Sequence, residues 1–209
     1  MNFTHSQISN QIHLITFESQ LEITSTLLRI QEHYESPEFR GKIFALDEYQ
    51  AWYTKLKGDF TYYTDWNGFN FPSYVLKPFW DGKFDPLSEK EQAIVDLFRG
   101  KTETFYVIGV HKGMSEEKVD SLLTHETAHG LYYTNPDYKS QIDQILSEYD
   151  LASIKSELAS LGGYHEAVLQ DECHAYGIDS SSKLKTPIPE EMRSRLRTVY
   201  QEYQKELQI

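Results

Sequence analysis

One cysteine, Cys173, is all the thiol chemistry in this chain of 209 residues. It leaves no intrachain disulfide and no cysteine-only metal site, which suits a reducing compartment. Basic residues are also scarce: 20 Lys and Arg stand against 32 Asp and Glu, for a net charge of −12. A general nucleic-acid binder needs the opposite sign to displace counterions from phosphates, so no nucleic acid is expected as a partner. Long apolar runs are missing too. The longest, around Phe105–Val110, falls far short of the ~20 residues that span a bilayer. No Lys or Arg precedes Arg29, so the N-terminal stretch does not read as an ordinary signal peptide. The expectation is a protein without a membrane partner, cytoplasmic or exported by a route without a cleavable signal peptide. Nothing repeats at a fixed period.

What is present is a foldable mixture. Charged residues make up 25% and aromatics 14% of the chain, a composition that favours a packed core over disorder. The length predicts a monomer of one compact domain over residues 1–209. Residues 12–17 (IHLITF) alternate as a strand, and 21–33 show helical spacing that Ser36-Pro37 ends. Asp47 is placed to cap a short helix through Tyr49, Trp52 and Tyr53. The aromatic stretch 60–80 reads as strand–turn–strand around Asn67-Gly68. A helix over 88–98, with Gly100 beyond it, precedes the strongest strand signal, Thr104–His111. Four helical segments follow: 115–133, 136–161 ended by Gly162-Gly163, 164–176, and 190–207, with a polar loop over 177–188. Arg193, Arg195 and Arg197 read as a solvated face of the last helix. The fold class is therefore α+β: a small, mainly antiparallel sheet in about the first 112 residues, packed on a mostly helical second half.

The sharpest feature is His125-Glu126-Thr127-Ala128-His129. On a helix, positions i and i+4 lie one above the other, so both imidazoles can hold one metal ion. Glu126 stays free to take a proton from a water on that metal. With 8 His and 20 Glu in the chain, chance gives this pattern about 0.03 times. Ser115, Glu116 and Glu117 mark the helix start, and Asn135-Pro136 its end. A catalytic zinc site takes three protein ligands, so a third is needed. A second glycine–histidine extension of the motif would put Gly at 132 and His at 135, where the chain has Tyr132 and Asn135. The 164–176 helix offers His165, Glu166, Asp171, Glu172 and His174. Glu172 is preferred for its longer reach between packed helices, with Asp171 as the alternative.

His125-Glu126-x-x-His129 followed by a glutamate on a later helix resembles the gluzincin group of zinc metallopeptidases. The resemblance covers about Thr104 to Tyr176 and rests almost wholly on these residues. It implies a zincin-like fold and one zinc ion per chain, with His125, His129 and Glu172 as ligands and Glu126 as general base. It also implies hydrolysis of a peptide bond in a protein or peptide substrate. Tyr176 and His165, which share the stripe of Glu172 on an ideal helix, are the first candidates for donating to the oxyanion. The chain departs from the group in one respect. Many members place an aspartate four residues after the ligand glutamate, where this chain has Tyr176, and Asp171 and Asp179 are the acids at hand to orient a histidine instead. Two other readings compete: a protein-binding module with a structural or vestigial zinc site, and a zinc hydrolase of small amides or esters. His111 is a further residue near the cleft, and Thr104–His111 reads equally as a buried strand or as a sheet edge open to an added peptide strand.

Overall fold

The computed structural model describes residues 3–161, 164–179 and 184–207. In chain order it contains β1 (Phe3–Gln7), β2 (Ile12–Phe17), α1 (Gln20–Glu35), α2 (Leu46–Lys57), α3 (Tyr62–Asp65) and β3 (Phe69–Pro72). Then come α4 (Lys77–Trp80), α5 (Glu89–Leu97), β4 (Tyr106–His111), α6 (Glu116–Thr134) and α7 (Pro136–Ser147). The chain continues through α8 (Ala152–Ser160), α9 (Leu169–Ile178) and α10 (Glu190–Gln204). It is α+β, with one four-stranded sheet in the order β1-β2-β4-β3.

Side-chain alternation along the two central strands separates two cores. Ile12, Tyr106, Ile108 and Val110 pack with α6, α7 and α10, whereas Ile15, Phe17, Phe105 and Val107 pack with α1 and α5. The register agrees, since Ile12 lies opposite Tyr106 and Ile15 opposite Gly109. The sheet is mixed: β1/β2 and β3/β4 are antiparallel, but β2 and β4 run parallel. A parallel pair needs a crossover connection, and α1 to α5 supply it. Helices therefore fill the first half as well as the second, and the expected strand-rich half is corrected to a helical crossover feeding a small sheet.

One local expectation fails, one strand goes unforeseen and one open alternative is resolved, each for an identifiable reason. The aromatic 60–80 stretch is no hairpin; it forms α3, β3, a 3-10 turn over Ser73–Leu76, and α4. Its aromatics fill the core instead of alternating across a ribbon: Tyr62, Phe69, Phe71 and Phe79 are all buried. Pro78 sits in the first turn of α4, where a missing N–H costs nothing. Strand β1, FTHSQ, was silent in the sequence because four of its five residues are exposed. Strand β4 is buried along its whole length between two partners, so it is not an edge. The edges are β1 and β3.

Asn135-Pro136 behaves as expected: the Asn135 side chain accepts hydrogen bonds from Asp137 N and Tyr138 N as α7 opens. The helix expected to run on to 161 breaks after Ser147 and resumes as α8, whose first residue is steadied by Asp150 accepting from Ala152 N. The Gly162-Gly163 stop lies outside the described residues. Ser115 does occupy the cap position of α6, with no side-chain hydrogen bond. Asp47 lies inside the first turn of α2, where Glu48 reaches back to Ala45 N instead. No helix among the described residues is long and apolar enough to cross a membrane.

Helix α6 approaches the sheet closely at Gly130. A Cβ there would lie 2.9 Å from Ile12 Cδ1 and 3.3 Å from the Tyr106 ring. Gly130→Leu raises helix propensity, so any loss of stability it causes understates the steric cost. It should lower unfolding free energy by about 1–3 kcal/mol in urea titrations. An unchanged midpoint would show that the helix–sheet spacing is slack.

Candidate metal centre

Helix α6 carries His125, Glu126 and His129 on the side facing α9, and α9 presents Glu172 back to them. Among the described residues these three ligating types, His125, His129 and Glu172, form the one group suited to a metal ion. The two Nε2 atoms are 3.2 Å apart. Glu172 carboxylate oxygens lie 3.6 Å from His125 Nε2 and 3.5 Å from His129 Nε2. Ligand atoms held ~2.0–2.1 Å from a common tetrahedral ion sit ~3.3 Å from one another, so the spacing fits zinc. His129 and Glu172 are each 2% exposed, and Glu172 Oε2 is buried without a hydrogen-bond partner. A buried carboxylate oxygen left in that condition is costly unless a cation completes it.

Asp171 settles between the two roles considered for it. Its Oδ2 stands 2.9 Å from His129 Nδ1, at hydrogen-bond distance although off the ideal N–H direction. That contact leaves His129 Nε2 facing Glu172. Asp171 Oδ1 lies 3.2 Å from His174 Nδ1, and His174 Nε2 lies 2.7 Å from Tyr138 Oη. Burial alone would raise the Asp171 carboxyl, but the His129 and His174 imidazoles outweigh it and hold it at about 2. An aspartate adjacent to Glu172 thus does the orienting that an aspartate four residues later would do elsewhere. Asp179, the other acid at hand, accepts from Ser121 Oγ at 3.1 Å.

Glu126 is 7% exposed, lines the open cleft, and leaves Oε2 without a hydrogen-bond partner. Burial raises its pKa, opposed by the neighbouring His125 and His129. The Tyr176 ring stands edge-on to His125, centroids 4.9 Å apart, and its hydroxyl meets that of Tyr164 at 3.1 Å. Burial pushes the Tyr176 phenol up to about 12, so it remains a protonated donor. His165 is elsewhere. Helix α9 begins only at Leu169, so the ideal-helix stripe through Glu172 does not extend to 165. Nδ1 of His165 accepts from Ala167 N and caps the preceding 3-10 turn. His111 lies at the end of β4, bonded through Nε2 to Asn67 Oδ1 at 3.3 Å.

The last helix secures α9. Arg193 donates to the carbonyls of Tyr176, Gly177 and Asp179, and Arg197 donates to that of Ile178. These are the carbonyls an α-helix leaves unpaired at its C-terminus. Arg195 instead pairs with Glu148. The expected solvated arginine face is corrected: two of the three arginines hold the helix that bears Glu172.

The cleft, about 980 Å³, is walled on one side by α6 and α9 and on the other by α1, α2 and α3. Glu32 and Glu35 of α1 line it, and sequence reading passed over both. The available signal was weak: Glu32 follows Leu28 by four residues and so sits on the apolar stripe of its helix. We find no family model, curated protein or solved structure that matches the chain.

Glu172→Ala should abolish stoichiometric zinc uptake in a competition titration with a chromophoric chelator. Asp171→Asn should keep the site but weaken it about 10–100-fold, the usual cost of losing an orienting partner. Full-affinity zinc in Glu172→Ala would remove that residue from the ligand set.

Proposed function

We propose that the chain is a zinc-dependent endopeptidase of the gluzincin type with a zincin-like fold, acting on a protein or peptide and binding one zinc ion per chain. The observation that carries this is the spare acid. Three ligand atoms stand 3.2–3.6 Å apart on the cleft floor, and Glu126, outside that set, shares the cleft with an unpartnered carboxylate oxygen. A structural zinc site is closed by four protein ligands and has no use for such a group. This disfavours a binding module with a purely structural metal.

Zinc, when bound, supplies Lewis-acid chemistry, lowering the pKa of water and polarising a carbonyl. The protein supplies the proton handling. Glu126 accepts a proton from the attacking water and delivers it to the departing amine nitrogen, so a single carboxylate serves as base and then acid. Tyr176, protonated and beside His125, offers its hydroxyl to the oxygen that gains negative charge. Asp171 keeps His129 from rotating, which holds the reacting geometry steady.

The cleft volume lies at the upper end of the range for small-ligand pockets, which favours a peptide over a small amide or ester. The edge strand that borders the cleft is β3, buried along its length, and its Asn70 N is already bonded to Gln31 Oε1 at 2.9 Å. A substrate strand would compete with that side chain for this donor.

Glu126→Gln should bind zinc with unchanged stoichiometry and lose peptide hydrolysis by about 10²–10⁴-fold, the range for removing a general base. The readout is mass spectrometry of a denatured-protein digest incubated with the zinc-loaded enzyme. Undiminished cleavage by the variant would remove Glu126 as the base. Absence of cleavage by the unaltered zinc protein would overturn the peptidase reading.

A further inference from the structure

Two carboxylates that the reaction does not use face the same cleft. Glu32, 9% exposed, and Glu35, half-buried, sit one helical turn apart on α1 and both line the cavity. None of the ion pairs among the described residues involves either of them. The two lysines of the lining, Lys57 and Lys118, do not change this balance. Lys57 serves Asp65, where hydrogen bonds from Thr61 and Tyr53 and the lysine charge outweigh the slight effect of burial. Of the other acids of that rim, Asp179 is occupied with Ser121, and Glu117 is exposed at the start of α6 beside the exposed Lys118.

Glu32 is enclosed by polar hydroxyls and aromatic rings. Its neighbours are the hydroxyls of Tyr62, Tyr49 and Ser36, and burial, only partly opposed by them, raises its carboxyl to about 7. Tyr62 is fully buried, lines the cleft, and its Oη completes no hydrogen bond of good geometry. An ammonium or guanidinium group donates hydrogen bonds and so satisfies a carboxylate and a phenol oxygen together. The wall around this point is aromatic. Trp66 is 38% exposed with its ring centroid 6.3 Å from that of Tyr62, and Trp52 lies 5.5 Å from Tyr49. Electron-rich ring faces attract cations. Glu32 has hydroxyl neighbours and Glu35 the amide of Gln31, but neither has a cation, and proteins keep buried carboxylates of this kind where a ligand completes them.

We propose that this half of the cleft is a specificity pocket for a cationic group of the peptide substrate, a lysine or arginine side chain, held by Glu32 with Glu35 and the Tyr62 hydroxyl. The inference rests on the peptidase reading for its substrate, but its test does not depend on turnover. Zinc-loaded Glu126→Gln protein is titrated calorimetrically with N-acetylated peptides that differ at one position only, Arg, Lys, norleucine or Glu. Each is repeated with a free N-terminal amine to separate a side-chain cation from an α-ammonium.

Arg and Lys peptides are expected to bind at least tenfold more tightly than norleucine or Glu peptides. Adding Glu32→Gln or Glu35→Gln should erase most of that margin, while circular dichroism and zinc content confirm that the variants fold. A margin that follows the free amine instead of the side chain would overturn the side-chain assignment. Equal binding of all peptides, or none, overturns the pocket, as does a preference that survives both substitutions. Hydrolysis by the unaltered protein is scored separately: if peptides bind with the predicted preference but are never cut, the peptidase reading fails and the cation pocket stands.

Discussion

Helix α9 has to present Glu172 to two imidazoles on α6, and the grip that holds it there is on its C-terminal carbonyls. Arg193 and Arg197 reach from α10 to the oxygens of Tyr176 through Asp179. At Gly177, an added Cβ would come within 2.5 Å of Leu196, so the two helices touch backbone against side chain. From the other direction, Gly130 lets α6 settle directly on Ile12 and Tyr106. His129 and Glu172 are thus fixed by contacts that contain no ligand atom at all. The 3.5 Å between them follows from how tightly α10, α9, α6 and the sheet are stacked.

Asp171 and Glu172 are neighbours in sequence, yet they do different work. Successive residues on a helix point about 100° apart, so one turns to the ring nitrogens that face the cleft and the other to the back of His129. His174, one turn further, ties the same aspartate to Tyr138 on α7. The acid that faces the back of His129 is the neighbour of Glu172 in the chain, not a residue one turn beyond it. His125 has no comparable acid behind it; its company is Tyr176 and the cleft. The two imidazoles are accordingly unequal, one clamped and one merely packed.

Legibility from the sequence followed the range of the interactions. The motif helix and its proline-marked end were readable because each depends on spacings of three or four residues, whereas Glu172 was preferred to Asp171 only for its reach between packed helices. Strand β4 was readable because a buried central strand needs β-branched and aromatic residues throughout. Strand β1 was not, since its stability comes from pairing with β2 and leaves almost no apolar trace. The 60–80 stretch misled because aromatic, Gly and Pro content marks a hairpin and a core-filling irregular segment alike. Glu32 and Glu35 escaped notice for a different reason: α1 meets α6 only across the folded molecule, and acids on a helix ordinarily mean solvent.

The parallel pairing of Ile12–Phe17 with Tyr106–His111 has a consequence for assembly. Strand β2 has no central partner until everything from α1 to α5 has been laid down, and loop closure over such a span is slow. The floor on which α6 rests therefore exists only late, and α9 and α10 have yet to dock when it forms. A centre built this way cannot serve as a nucleus that gathers the chain around an ion. On the proposed reading, a metal would meet a scaffold already finished by its own packing, adding chemistry first and cohesion second.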